Sequence, residues 1–244
     1  MKFFFVLLAA LGASSVPASG RAWPSSHYTN LPHPAIRTPA VARQHGDSPW
    51  GGAVQEGQGW TMVTGTATVP TVSGQDPNAG AAVWVGIDGY SCQTSILQTG
   101  FTVWGDGRIE TWYEWYPEQS YDYPVDLSVQ PGHQLRMTVY ADGTNGGNST
   151  IENLSTGQSA SQNFEGQAES LCLADAEWIV EDFLSGGGSV PFADFGQVQF
   201  TDAQASGGQG TVTPEGAIIV EVTVNGQPQT SCSSDASGVQ CQYV

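Results

Sequence analysis

Three runs decide the fold: Ala81-Ala82-Val83-Trp84-Val85-Gly86-Ile87, Ile96-Leu97-Gln98-Thr99-Gly100-Phe101-Thr102-Val103-Trp104 and Glu110-Thr111-Trp112-Tyr113-Glu114-Trp115-Tyr116-Pro117. Each is rich in β-branched or aromatic residues and is bounded by Gly, Pro, Asn or Asp, as strands are. Successive side chains of a strand point to opposite faces, so parity sorts them. In the first run Ala81, Val83, Val85 and Ile87 share an apolar face, while Trp84 and Asp88 point the other way. In the second, Leu97, Phe101 and Val103 oppose Ile96, Gln98 and Thr102. In the third, Glu110, Trp112, Glu114 and Tyr116 fall on one face, acids alternating with aromatics.

Working outward, further strands are expected over 60–69, 134–140, 176–183, 197–201 and 217–224. In 176–183, Trp178 and Val180 read as core, leaving Glu177, Ile179 and Glu181 opposite. No stretch carries a helical pattern, and many short strands between turn signals predict an all-β antiparallel sandwich. Set side by side, the opposing faces predict an exposed concave surface of Trp, Tyr, Gln and carboxylates. The alternative is a solvated sheet face with incidental acids, which would leave exposed Trp84, Trp112 and Tyr116 unexplained.

Charge divides the chain. All 23 acidic residues lie at or beyond Asp47, whereas Lys2, Arg21, Arg37 and Arg43 are four of the six bases. From residue 47 onward Arg108 and Arg136 face 23 acids, a net of −21 within the chain's −17. Such a body repels itself at neutral pH and is relieved as carboxylates protonate near pH ~4. Lys2, the apolar run of residues 3–11 and the small-residue stretch 12–20 form a secretory signal peptide, expected as 1–18, with cleavage near Val16-Pro17-Ala18. Residues 19–46 hold three arginines and His27, His33 and His45, and are expected to be a basic pro-segment; a disordered tail is the alternative. Residues 47–244 are then one domain, exported and soluble, since no apolar run approaches the ~20 residues of a membrane span.

Four cysteines suit two disulfides in an oxidising compartment, with three connectivities open. Cys232 and Cys241 flank Ser-Gly turn material and would close a hairpin, which favours that pair and leaves Cys92 with Cys172. Asn148-Ser-Thr and Asn153-Leu-Ser match the N-glycosylation pattern. Elimination narrows the chemistry. His133 is the one histidine beyond the pro-segment, and no lysine occurs there, which removes Ser-His-Asp, Ser-Lys and Schiff-base schemes. No zinc, phosphate-loop or dinucleotide signature appears, so no metal or cofactor is expected. The charge excludes nucleic acid as an ordinary partner. Carboxylates and carboxamides remain.

The segments Trp50-Gly-Gly-Ala-Val54, Ala82-Val-Trp-Val-Gly-Ile-Asp-Gly89, Ser95-Ile-Leu-Gln-Thr-Gly-Phe101, Trp112-Tyr-Glu-Trp-Tyr-Pro-Glu118 and Ala176-Glu-Trp-Ile-Val-Glu-Asp-Phe183 resemble the glutamic peptidases, or eqolisins, in the family's order. The resemblance runs from Trp50 to the closing Cys-Gln-Tyr-Val. It implies a secreted acid endopeptidase, metal-independent and insensitive to pepstatin, folded as two seven-stranded antiparallel sheets with a substrate cleft. By motif it implies Gln98 and Glu181 as the catalytic pair, with Trp84, Asp88, Glu110, Trp112, Glu114 and Tyr116 lining the cleft. Residues 116–126 resemble the family's flap loop. Two departures stand out: Leu184-Ser-Gly-Gly-Gly-Ser189 replaces a cysteine-flanked hairpin of one member, and Thr102 stands where that member has an acid. Protein and peptide substrates, the chain's own pro-segment as inhibitor, and a monomer are the expected partners and state.

Two rival classes share part of this pattern. A secreted glycoside hydrolase would use Glu114 and Glu181 as its two carboxylates. A carbohydrate-binding module would stack sugars on Trp84, Trp112 and Tyr116. A pro-segment argues against both.

Overall fold

A computed structural model of the protein describes residues 36–37, 47–185 and 188–244. The expected signal peptide and all of the expected pro-segment except the backbone of 36–37 lie outside the described residues. In chain order the strands are β1 (Ile36–Arg37), β2 (Trp50–Glu56), β3 (Trp60–Thr68), β4 (Gly80–Ile87), β5 (Ile96–Trp104), β6 (Ile109–Tyr116), β7 (Tyr121–Asp122), β8 (Gln134–Ala141), β9 (Gly147–Asn153) and β10 (Gln158–Phe164). They continue as β11 (Asp175–Glu181), β12 (Leu184–Ser185), β13 (Gly188–Ser189), β14 (Gln197–Gly207), β15 (Gly210–Val212), β16 (Ile218–Val220), β17 (Thr223–Val224), β18 (Gln227–Pro228), β19 (Thr230–Asp235) and β20 (Gly238–Tyr243). The described residues contain no helix.

Two antiparallel sheets carry the fold. The front sheet has seven strands in the order β16-β2-β11-β4-β5-β6-β7. The back sheet runs β10-β9-β8-β3-β14-β20-β19, with β15 pairing β14 as an eighth strand beyond the expected seven. Two smaller ribbons, β1-β12-β13 and β17-β18, lie outside both sheets.

Between the sheets lies the main core. Ala81, Val83, Val85 and Ile87 of β4, Leu97, Phe101 and Val103 of β5, and Trp178 and Val180 of β11 meet Val63, Leu135, Val139, Val198 and Phe200 of the back sheet. Burying each Val, Leu, Ile or Phe side chain here is worth roughly 1.5–3 kcal/mol. The parity expected from sequence is therefore the parity of the fold. Both disulfides pair as expected, Cys92 with Cys172 and Cys232 with Cys241, the second across the β19–β20 hairpin.

The expected strand 217–224 is in fact two. Glu221 accepts from Thr230 Oγ1 at 2.6 Å and from the Cys232 N–H at 2.8 Å, and the Val222 N–H donates to Thr230 Oγ1, so the chain turns there instead of extending. Strands β2, β9 and β10 were not expected as strands, and in β9 the Asn and Ser content hides the buried alternation of Ser149, Ile151 and Asn153. Asn153 does not suit glycosylation in this fold. It is fully buried, and its Nδ2 donates to the Leu127 carbonyl at 2.9 Å. Asn148 Nδ2 is engaged too, with Asn163 Oδ1 at 2.7 Å and the Gln162 carbonyl at 3.1 Å.

Candidate active site

The outward face of the front sheet holds the residues expected at the site apart from Asp88, and most of them are buried. Trp50, Val54, Ala82, Trp84, Ile96, Trp104, Trp112, Ile179 and Phe183 form a second hydrophobic cluster there. Trp84 and Trp112 are fully buried, which corrects the expectation of exposed aromatic platforms. Side-chain-free positions lie beneath the Trp84 ring. A Cβ on Gly86 would come within 2.9 Å of Cζ3 of Trp84, and one on Gly100 within 2.6 Å of the Trp84 Cβ. The indole lies down on this glycine floor, with Trp50 packed edge-on against it at 5.1 Å between ring centroids. Tyr116 packs half-buried at the margin.

Strand order brings the two expected catalytic residues to this face. The strand β11 inserts between β2 and β4, so Glu181 faces Ala82 across one ladder. Gln98 faces Gly86 on the other side of β4. Ala82 and Gly86 are four apart, so both side chains share the face, with Trp84 between them. Trp84 Nε1 donates to Glu181 Oε2 at 2.9 Å, which fixes one oxygen of that carboxyl. Gln98 Nε2 donates to Glu114 Oε2 at 2.9 Å. Gln98, Glu114 and Glu181 are all buried.

Burial sets the charge state of the acids here. Desolvation first, and the neighbouring Glu181 second, push the Glu114 carboxyl well above the usual range, against the lowering effect of the Gln98 amide. Glu177, on the same strand and face as Glu181, is pushed up by desolvation and then by Asp175 and Asp88. The Tyr90 main-chain N–H only partly offsets this. A buried carboxyl with no cation beside it keeps its proton, because desolvation penalises only the charged form. Glu110 differs: Trp104 Nε1 reaches it at 2.6 Å and Arg108 Nη1 at 3.1 Å, giving a hydrogen-bonded edge to the site. Thr102, the position that departs from the family, accepts from Trp112 Nε1 at 3.0 Å.

Asp88 is not part of this face. It sits at φ 68°, and its carboxylate turns to the 172–175 segment. There it accepts four main-chain N–H bonds, from Cys172, Leu173, Ala174 and Asp175, at 2.7–3.2 Å. Asp175 in turn accepts from the Ser91 N–H and hydroxyl and the Cys92 N–H. The two aspartates brace the chain on either side of the Cys92–Cys172 bridge. Parity predicted Asp88 on the outer face because it cannot see the left-handed turn that ends β4.

Sequence reasoning placed Glu114 at the cleft and missed its bond to Gln98. The signal was present: Gly105-Asp106-Gly107 centres the β5–β6 hairpin on residue 106 and so sets Gln98 opposite Glu114. Among the described residues no three His, Cys, Asp or Glu side chains are grouped as metal ligands.

Comparison with known proteins bears on this geometry. The Peptidase A4 family matches residues 48–243. The chain is 42% identical over 220 residues to Aspergillopepsin-2 of Aspergillus niger, spanning 81% of this chain and 78% of that protein. To Scytalidopepsin B of Scytalidium lignicola it is 44% identical over 206 residues, with the same shares covered. The crystal structure of scytalido-glutamic peptidase with a transition state analog inhibitor superposes with a TM-score of 0.76 at 42% identity, over 81% of this chain and 98% of that one.

Proposed function

The chain belongs to the Peptidase A4 family of glutamic peptidases, hydrolases of peptide bonds, and from that premise we propose that Gln98 and Glu181 are its catalytic pair, working on protein substrates in acid. The observation that carries the reading is the convergence of Gln98 and Glu181 on one buried face across Trp84.

Glu181 is the general base. The Trp84 indole N–H holds one of its oxygens and leaves the carboxyl oriented to take a proton from water and later return one to the leaving amine. Gln98 supplies a neutral carboxamide, whose C=O accepts from the attacking water and whose N–H donates to the developing oxyanion. A neutral donor suits this task where acids surround the oxyanion, because a further carboxylate would repel it.

Glu110, Trp112, Glu114 and Tyr116 are the remaining residues of the expected cleft; Asp88 is left out, since its oxygens are taken up by main-chain N–H groups. The enzyme is made as a precursor and secreted as a monomer, with residues 1–18 as signal peptide, 19–46 as pro-segment and 47–244 as the catalytic domain. Support for an inhibitory pro-segment comes from β1, where Ile36 pairs with Ser185 and Arg37 with Leu184, three residues past Glu181. The two disulfides suit an oxidising extracellular medium.

The test is activity of the purified, matured chain on acid-denatured protein, with β-glucan and xylan alongside. Peptide release at pH 3–4 that is lost in both Glu181→Gln and Gln98→Ala supports the reading. Cleavage of polysaccharide instead, or retention of more than a tenth of activity by either folded variant, overturns it.

A further inference from the structure

We infer that Glu114 is a positioning residue for the reaction: it seats the Gln98 carboxamide from below and decides which end of that amide meets the reacting atoms. The inference rests on the assignment of Gln98 as catalytic.

A carboxamide is ambiguous by itself, since a half-turn about its last bond exchanges its donor and acceptor ends. Something must break that symmetry if the N–H is to meet an oxyanion and the C=O a water. Glu114 stands directly opposite Gln98 in the β5–β6 ladder, and both side chains are buried. Its Oε2 accepts from Gln98 Nε2 at 2.9 Å, and its Oε1 has no partner. The bond commits one N–H of Gln98 to Glu114 and so fixes which way round the carboxamide sits.

The charges around Glu114 come from several elements. Glu110 and Tyr116 share its face on β6, Glu177 and Glu181 lie on β11, and Asp122 pairs beside Trp112 at the sheet edge. Arg108, the cation of this sheet among the described residues, is held by Asp106 and Glu110. Glu114 thus has Glu181 as its electrostatic neighbour and no cation to offset it. With its proton on, Glu114 accepts from Gln98 through its carbonyl oxygen and adds no negative charge, so Glu181 can be the anion of the site. Once Glu114 ionises, the second negative charge opposes the oxyanion, and the rate falls on the alkaline side.

Two variants and two readouts test this. Glu114→Gln keeps a carbonyl oxygen for Gln98 Nε2 and cannot ionise. Its kcat should stay within a few-fold of wild type, and the alkaline limb of its pH profile should move to higher pH. Glu114→Ala frees the carboxamide and should lower kcat by about 10²-fold, the scale of a misplaced catalytic group, with KM nearly unchanged. A raised KM at unchanged kcat in Glu114→Ala would make Glu114 a substrate contact, and an unmoved alkaline limb in Glu114→Gln would also overturn the proposal. The second readout needs no turnover. In a Glu181→Gln background the Gln98 side-chain amide signals, assigned by their loss in Gln98→Ala, should titrate with pH and stop doing so in Glu114→Gln. If the wild type proves inactive on protein, the assignment of the reaction fails. The amide signals then still decide whether Glu114 holds Gln98, and their indifference to Glu114→Gln refutes it.

Discussion

Replacing Glu177 by Gln should make the protein more stable at neutral pH and less stable in acid. Glu177 is fully buried, and desolvation with Asp175 and Asp88 raises its carboxyl well above the ordinary range against the lowering effect of the Tyr90 main-chain N–H. The sign follows from proton binding. A group whose folded value is raised contributes stability that is fully present below its unfolded value, ~4.3 for Glu, and is lost as pH climbs to the folded value. Each pH unit over which the folded group alone keeps its proton costs the fold about 1.4 kcal/mol. At a conversion of roughly 2–4 °C per kcal/mol for a domain of this size, that is about 3–6 °C in Tm per pH unit. Gln cannot titrate, so the variant escapes this loss. At pH 3 its extra N–H group is buried without a partner and should cost about 1–3 kcal/mol. The two Tm curves should therefore cross between pH 3 and pH 7. Calorimetry on both chains in a Glu181→Gln background, to prevent self-digestion, measures this. A Tm difference that stays constant across that range would refute the reasoning.

Asp88→Asn should cost about 2–4 kcal/mol, because an amide NH2 must face main-chain N–H groups that the carboxylate accepts from, while KM of the folded fraction stays unchanged; urea melts and initial rates at low temperature check this, and a raised KM at unchanged stability would return Asp88 to the cleft. Added salt should raise Tm more at pH 7 than at pH 3, since the −21 body is then ionised and screening relieves it; equal increments by calorimetry would count against self-repulsion. Replacing Arg37 and Arg43 by Gln should let the precursor mature at higher pH than wild type, whose carboxylates release the basic segment only below about pH 4; maturation followed on gels at an unchanged pH would leave sterics as the restraint. Pepstatin and EDTA should leave activity on acid-denatured protein intact, and inhibition by either would point away from a Glu and Gln pair.

The front strands were legible because their pattern is local. Val83, Val85, Leu97, Phe101, Trp178 and Val180 share one parity of their strands, and a strand can bury only one parity against the second sheet. The polar strands β9 and β10 were not legible, since burial there falls on Ser149 and Asn153 as well as Ile151. A hydroxyl or carboxamide enters a core only when a distant partner satisfies it, as the Leu127 carbonyl does for Asn153. No reading of the local pattern supplies that partner.

By itself the sequence determined the sandwich, the sharing of one face by Gln98 and Glu181, the family and the two disulfides. These follow from strand periodicity and contiguous motifs, which are properties of neighbouring residues. Only the tertiary structure decided that β11 lies between β2 and β4, that Trp84 reclines on a glycine floor and holds Glu181, and that Glu114 grips Gln98. It also separated carboxyls that look alike in the chain: Glu110 meets Arg108, Asp88 meets four N–H groups, and Glu177 is buried beside Asp175 and Asp88. Whether a carboxyl is charged depends on what surrounds it, and burial is set by residues dozens of positions away.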